Sequence, residues 1–222
     1  MSIVIAVDGT AASGKGTLAK KLAAHFGFAH LDTGALYRLT ALATVQNKGD
    51  PADPNDALRA AQSIDLGRTN DLEIRTAEIG RIAAVVAAVP SVRRQLLQFQ
   101  RNFAIHPPGA KGCVIDGRDI GTVVCPAADA KLFIDAAIGV RAHRRYLELA
   151  LQGPANEAEI LNDLVARDAA DRTRKISPLV HAPDAILIDT TTLSVSEMCD
   201  LAISEVAQRL SGKTSQRELP LE

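Results

Sequence analysis

Five short apolar runs punctuate the chain: Ile3–Val7, Ala29–Leu31, Cys113–Ile115, Lys131–Ile134 and Ala185–Ile188. They lack the strict alternation of half-exposed strands and read as strands covered on both faces. Helical periodicities fill the intervals, and strand–helix alternation of this kind predicts an α/β fold with a five-stranded parallel sheet flanked by helices. Each run ends at an acidic residue, in turn Asp8, Asp32, Asp116, Asp135 and Asp189. Ligands of such sheets bind beyond the carboxyl ends of the strands, so all five acids are expected at one edge.

The first helix follows its strand closely, with Leu18, Leu22 and Phe26 at i, i+4 and i+8 and Gly27 as its C-cap. From about Gly34 to Phe103 the alternation gives way to a helical stretch without a central strand. Leu36–Val45 reads as a helix stopping at Asn47-Lys48-Gly49, and Asp50-Pro51 to Pro54 as a turn. Thr76–Val89 is predicted as a helix ended by Pro90. Ser91 is expected to cap the next one, with Val92, Leu96, Phe99 and Phe103 at helical spacing. Pro107-Pro108-Gly109 marks the return to the core, and a charge-dense interruption runs from about Gly153 to Pro178. The expected plan is a single domain: a core at about 1–34, 104–150 and 177–210, an insert at about 35–103, a lid at about 151–176 and a frayed polar tail at 211–222.

Composition narrows the partners. Lys plus Arg is 25 against 26 Asp plus Glu, a formal net charge of −1, which excludes a dominant nucleic-acid or anionic-membrane field. Aromatics make up 3% with no Trp, too few for a base-stacking platform. The longest apolar run, Ile82–Val89, is far below the ~20 residues needed to span a bilayer, and no charged leader precedes Ile3. Cys113, Cys125 and Cys199 lack metal-type spacing and read as reduced thiols, with Cys113 and Cys125 at buried apolar positions. A cytoplasmic protein with neither nucleic-acid nor membrane partners is expected.

The chemistry enters between the first strand and the first helix, at Gly9-Thr10-Ala11-Ala12-Ser13-Gly14-Lys15-Gly16-Thr17. Glycines let such a loop curl with its N–H groups inward, and the helix N-terminus adds positive potential. Lys15 can reach β- and γ-phosphates, and Thr17 can donate to a phosphate oxygen. The consensus sets Ser or Thr directly after Lys, where this chain has Gly16. Magnesium is therefore expected to bind mainly through phosphates and water. Asp116 is either its outer-sphere partner or the cap of a turn.

Asn47-Lys48-Gly49-Asp50 matches the base-reading motif of switch GTPases literally, but it follows a helix rather than a late core strand and reads as a helix C-cap. More informative are arginines beside acidic strand ends: Arg38 after Asp32, and Arg118 between Asp116 and Asp119. Arg167, Asp171 and Arg174, at i, i+4 and i+7, are expected on one helix face of the lid. Each alone reads as a solvated face or surface ion pair. Together with the phosphate loop they form a phosphate clamp.

The loop's Gly-Lys-Gly-Thr ending resembles that of P-loop nucleoside monophosphate kinases. Leu31-Asp32-Thr33-Gly34-Ala35-Leu36-Tyr37-Arg38 and Asp116-Gly117-Arg118-Asp119-Ile120-Gly121-Thr122 are similar to signatures of bacterial-type cytidylate kinases. Arg167-Asp168, Asp171-Arg172-Thr173-Arg174, Ser177-Pro178-Leu179 and Asp189-Thr190-Thr191 also fit that family. The resemblance implies a P-loop kinase core with an acceptor-binding insert and a short lid, acting as a monomer. Its implied reaction is ATP plus CMP or dCMP giving ADP plus CDP or dCDP, with Mg²⁺. By position, Thr33, Arg38, Arg118 and Arg174 would hold the acceptor phosphate, Arg93 and Asp119 would read the cytosine, and Arg167 and Asp171 would lie by the ribose. Lys15, Arg118, Arg172 and Arg174 would act on the transferring phosphoryl group. Ala84 stands where many relatives carry a serine that touches the base, and the insert around Asp65–Arg75 is short.

A phosphate acceptor is already largely ionised at neutral pH, with a second pKa of ~6, and needs no general base. The five histidines, His25, His30, His106, His143 and His181, accordingly form no catalytic constellation. Two alternatives stay open on the residues alone: another acceptor such as UMP or AMP, and a regulatory nucleotide-binding switch.

Overall fold

The computed structural model describes residues 2–69, 72–151 and 153–217. Strands β1 (Ile3–Gly9), β2 (Ala29–Asp32), β3 (Gly112–Gly117), β4 (Ala130–Asp135) and β5 (Ile186–Asp189) form one sheet in the order β2-β3-β1-β4-β5. The helices are α1 (Lys15–Phe26), α2 (Thr33–Gln46), α3 (Pro54–Gln62), α4 (Ala77–Ala88), α5 (Pro90–Ile105), α6 (Ile138–Ala150), α7 (Glu157–Thr173) and α8 (Val195–Arg217). The chain divides into two compact units, Met1–His30 with Pro107–Glu222, and Leu31–His106.

In the first unit β1 is central and pairs in parallel with β3 and β4, while β4 pairs in parallel with β5. The register sets Val7 beside Asp116, Gly9 beside Ile134, and Asp135 beside Asp189, so the acidic ends lie nearly level. One apolar layer, with Ile5, Val7, Leu18, Leu22, Val114, Leu132, Ile134 and Val206 buried in it, packs α1 and α8 on the sheet. Burial on both faces holds for β1, β3 and β4 but not at the edge, where Leu187 of β5 is 60% exposed. An edge strand has one neighbour and less cover, which its apolar sequence does not reveal. Gly27 ends α1 in the left-handed region as expected, with φ 66°. Cys113 and Cys199 are buried, and Cys125 is only half-buried. α8 continues to Arg217, past Ser211 where fraying was expected, and 218–222 lie outside the described residues. No described helix is long and apolar enough to cross a membrane.

Asp8 anchors the turn after β3. Its buried carboxylate accepts from Ile120 N at 2.8 Å and Gly121 N at 2.7 Å. Burial pushes its pKa up to about 6, although both N–H donors oppose the rise. The folded chain therefore retains a proton that the unfolded chain releases between about pH 4 and 6, and stability falls as pH rises through that window. A rise to about 6 corresponds to roughly 3 kcal/mol. Urea titrations from pH 4 to 7 should show wild type losing up to about that much relative to Asp8→Asn. Parallel pH profiles for the two proteins would refute this assignment.

The second unit is helical. Asp32 caps α2 by accepting from Ala35 N at 3.0 Å, Asp53 caps α3, and Thr76 caps α4. α5 begins at Pro90, one residue before the expected cap, because proline fits the first helical position with its φ preset and no N–H to satisfy. Ser91 is thus inside the helix, and its hydroxyl donates to Pro54 O at 3.5 Å. The buried stripe of α5 is Val92, Arg93, Leu96, Gln100 and Ala104, with Phe99 and Phe103 half-buried. Asn47 is the C-cap of α2 and Lys48 turns through φ 54°, so the GTPase-like tetrapeptide is a helix end. Leu66–Arg68 and Leu72–Arg75 are short 3-10 turns.

Candidate active site

The glycine that starts the phosphate loop is dictated by the sheet. Gly9 has φ 152°, and a Cβ there would lie 2.0 Å from the Ile134 carbonyl oxygen. Gly14, with φ 90°, makes the turn into α1, and Ala12 adopts φ 59°. One side chain of the loop and two from outside it hold its carbonyls. Ser13 Oγ donates to Thr10 O at 3.0 Å, Arg141 Nη1 to Ala11 O at 3.1 Å, and Thr190 Oγ1 to Ser13 O at 3.0 Å. Thr10 Oγ1 donates to Asp135 Oδ1 at 2.7 Å. In a trans peptide the C=O and the following N–H point oppositely, so these ties aim the N–H groups of Ala11, Ala12 and Gly14 to the other side. The loop hydroxyls of Thr10 and Ser13 thus brace the loop, and its N–H groups with Lys15 in the first turn of α1 suit an anion. Gly16 follows Lys15, and Thr17 is exposed on α1.

Asp116 is buried at the end of β3. Its Oδ1 lies 2.8 Å from His30 Nε2, and its Oδ2 3.9 Å from where a Cβ on Gly16 would be. The carboxylate therefore lies beside the loop at the position that the consensus hydroxyl flanks. Among the described residues no group of three or more His, Cys, Asp or Glu side chains could hold a metal ion.

Further along the same strand exit, Arg118 Nε donates to Asp171 Oδ2 of α7 at 2.9 Å. Arg174 Nη1 lies 3.5 Å from Asp171 Oδ1, its Nη2 lies 3.8 Å from Asp119 Oδ1, and its Nε donates to Ser177 O. Arg174 is the extended C-cap just past α7, rather than a residue of the helix face as its spacing suggested. Arg167, one turn before Asp171, is half-buried and makes no hydrogen bond or ion pair among the described residues. Burial, then the neighbouring Arg118 guanidinium, pull its pKa down to about 10, which leaves it charged at neutral pH. Burial opposes ionisation of Asp171, but Arg118, Arg167 and Arg174 outweigh it and hold its pKa below the usual value. Three guanidiniums thus share two carboxylates, an excess of one positive charge. Arg172 is not drawn in: it is exposed on the last turn of α7 and has no partner among the described residues.

Sequence reasoning missed Arg141 and gave Asp168 no role of its own. Arg141 of α6 is 3% exposed and donates to Ala136 O at 2.8 Å, to Ala11 O, and to Asp168 Oδ2 of α7 at 2.7 Å. Arg144 donates to Thr190 Oγ1 at 3.0 Å, behind the loop. Among three arginines on one amphipathic helix, no local signal separates the buried one.

In the second unit Thr33 is buried at the start of α2. Arg38 Nη1 donates to Ile74 O at 2.8 Å and lies against Gly80 of α4, where a Cβ would be 3.2 Å from it. Arg93 is buried on α5, donates to Ala87 O at 3.4 Å, and sets its Cζ 5.7 Å from the centroid of the Tyr37 ring. Ala84 is exposed on α4.

A family model described as cytidylate kinase matches residues 5–208. The chain belongs to the cytidylate kinase family. A protein named cytidylate kinase from Rhodopseudomonas palustris (strain TIE-1) is 48% identical over 212 residues, 95% of this chain and 99% of that one. Another of that name from Rhodospirillum rubrum is 46% identical over 209 residues, covering 93% and 98%. Among solved structures, a gluconokinase from Sinorhizobium meliloti 1021 superposes with TM-score 0.52 at 13% identity over 97% of both chains. An uncharacterized protein from Eubacterium ventriosum superposes with TM-score 0.56 at 16% identity, covering 92% and 98%. These structural likenesses concern the fold, the five-stranded parallel α/β core expected from the sequence.

Proposed function

We propose that the protein transfers the γ-phosphoryl group of ATP to CMP or dCMP, giving CDP or dCDP plus ADP. The observation that carries this reading is the surplus arginine cluster of Arg118, Arg167 and Arg174 at the same sheet edge as a braced phosphate loop. Family membership across nearly the whole chain supports the acceptor.

The N–H groups of the loop and Lys15 bind the triphosphate. The acceptor nucleophile is a phosphate oxygen, so the protein needs no base; it has to offset the repulsion between two polyanions and exclude water. Arg118 and Arg174 take the acceptor phosphate together with Thr33 and Arg38, and the ion pairs of the two arginines with Asp171 and Asp119 keep the guanidiniums placed until it arrives. Arg93 and Asp119 read the cytosine, the former pre-set by Tyr37, and Arg167 and Asp171 lie by the ribose. Arg172 reaches the transferring phosphoryl group only when the lid closes. The residues suit a magnesium ion carried in by the triphosphate: Gly16 offers no hydroxyl ligand, and the Asp116 carboxylate beside it would hold such an ion through water. Such an ion supplies charge neutralisation on the phosphate oxygens.

ADP release should be rapid with CMP and dCMP and slow with UMP, AMP or no acceptor. Preference for AMP, or acceptor-independent release, would contradict the proposal. Arg174→Lys keeps the charge but loses the fork, and kcat/KM for CMP should fall about tenfold with the melting temperature little changed. An unaltered kcat/KM would remove Arg174 from the acceptor site.

A further inference from the structure

The residues argued to bind the triphosphate and those argued to hold the acceptor are joined by one buried side chain. Arg141 grips the loop through Ala11 O at 3.1 Å and α7 through Asp168 Oδ2 at 2.7 Å, while its Nε is fixed on Ala136 O at 2.8 Å. Asp168 immediately follows Arg167 and lies three residues before Asp171 on the same helix. Its carboxylate is 4% exposed, and Oδ1 is buried with no hydrogen-bond partner. A second, apolar contact runs in parallel: Ala11 packs with Ala142 of α6 and Leu164 of α7, with Ala12, Ile138, Ile160 and Leu161 around them. The loop's two alanines thus seat directly on the helix pair.

A buried ion pair of this kind is costly to break by removing one partner, since the other charge is left stranded. A displacement of Ala11 therefore moves α7, or α7 resists it. We propose that Arg141 and Asp168 are positioning residues that couple occupancy of the phosphate loop to the placement of Arg167, Asp171 and Arg174, so that the triphosphate and the acceptor bind cooperatively. This rests on the proposed assignment of those two subsites. Neither residue touches a substrate in the proposal; both act through the loop carbonyl and the helix.

Binding of CMP to the full chain is to be measured by calorimetry with and without saturating magnesium and a non-hydrolysable ATP analogue. In wild type the analogue should raise CMP affinity at least ~5-fold, and CMP should raise analogue affinity by the same factor. Arg141→Lys, whose single nitrogen cannot span three acceptors reached by three separate nitrogens of the guanidinium, and the isosteric Asp168→Asn should bring that factor to within about 2-fold of unity, while CMP alone binds within about 3-fold of wild type. In wild type the analogue alone should also slow amide exchange along residues 160–173 of α7, a readout independent of whether the variants fold. Absent coupling in wild type, full coupling in the variants, or unprotected amides in α7 would overturn the proposal. Failure of wild type to bind CMP at all would instead overturn the functional reading.

Discussion

Lys15→Ala is expected to cut kcat at least ~10²-fold, the scale of losing a preorganised charge donor in a site that excludes water. The residue opens α1 directly after the left-handed Gly14, at a helix N-terminus whose N–H groups and dipole favour an anion. The loop's two internal hydroxyls are already committed, Thr10 to Asp135 and Ser13 to Thr10 O, so neither can replace the ammonium group. Alanine is a good helix former at an unburied position, and melting should shift by no more than a few degrees. Burst and steady-state kinetics with saturating ATP and CMP would measure the loss. Near-normal turnover would show that phosphate is held elsewhere.

Among the described glycines, Gly9→Ala should be the most destabilising alanine substitution. The added Cβ would lie 2.0 Å from Ile134 O and within 3.0 Å of that residue's carbonyl carbon and nitrogen, all backbone atoms that cannot step aside. Gly9 and Ile134 are paired across β1 and β4, so relief requires parting the two central strands where the loop begins. A loss above ~4 kcal/mol is expected, with urea midpoint and ATP-analogue binding falling together. Gly139→Ala is the matched control, since nothing lies within 4 Å of the added methyl and α6 should gain up to ~1 kcal/mol. Similar stabilities for the two variants would contradict the steric argument.

Features written by neighbouring residues were legible in the sequence. The phosphate loop is one continuous segment, and the cap at Gly27 and the strand exits at Asp32 and Asp116 are local rules expressed within four or five residues. What lay beyond reading was decided across the chain. Arg141 and Ala11 are 130 positions apart, and Arg118 and Asp171 are 53 apart. Only the fold tells Arg141, buried behind the loop, from Arg172, exposed at a helix end. Leu187 shows the same limit: an apolar run does not say whether its strand is central or at the edge. Arg174 joined the predicted cluster by a different route, as an extended cap that turns back on Asp171 and Asp119.

The most direct test follows the phosphoryl group itself. With γ-labelled ATP, magnesium and CMP, the label should appear in the β-phosphate of CDP, one per ADP formed, and inorganic phosphate should stay near background. Label accumulating as inorganic phosphate at a rate indifferent to CMP would contradict the account.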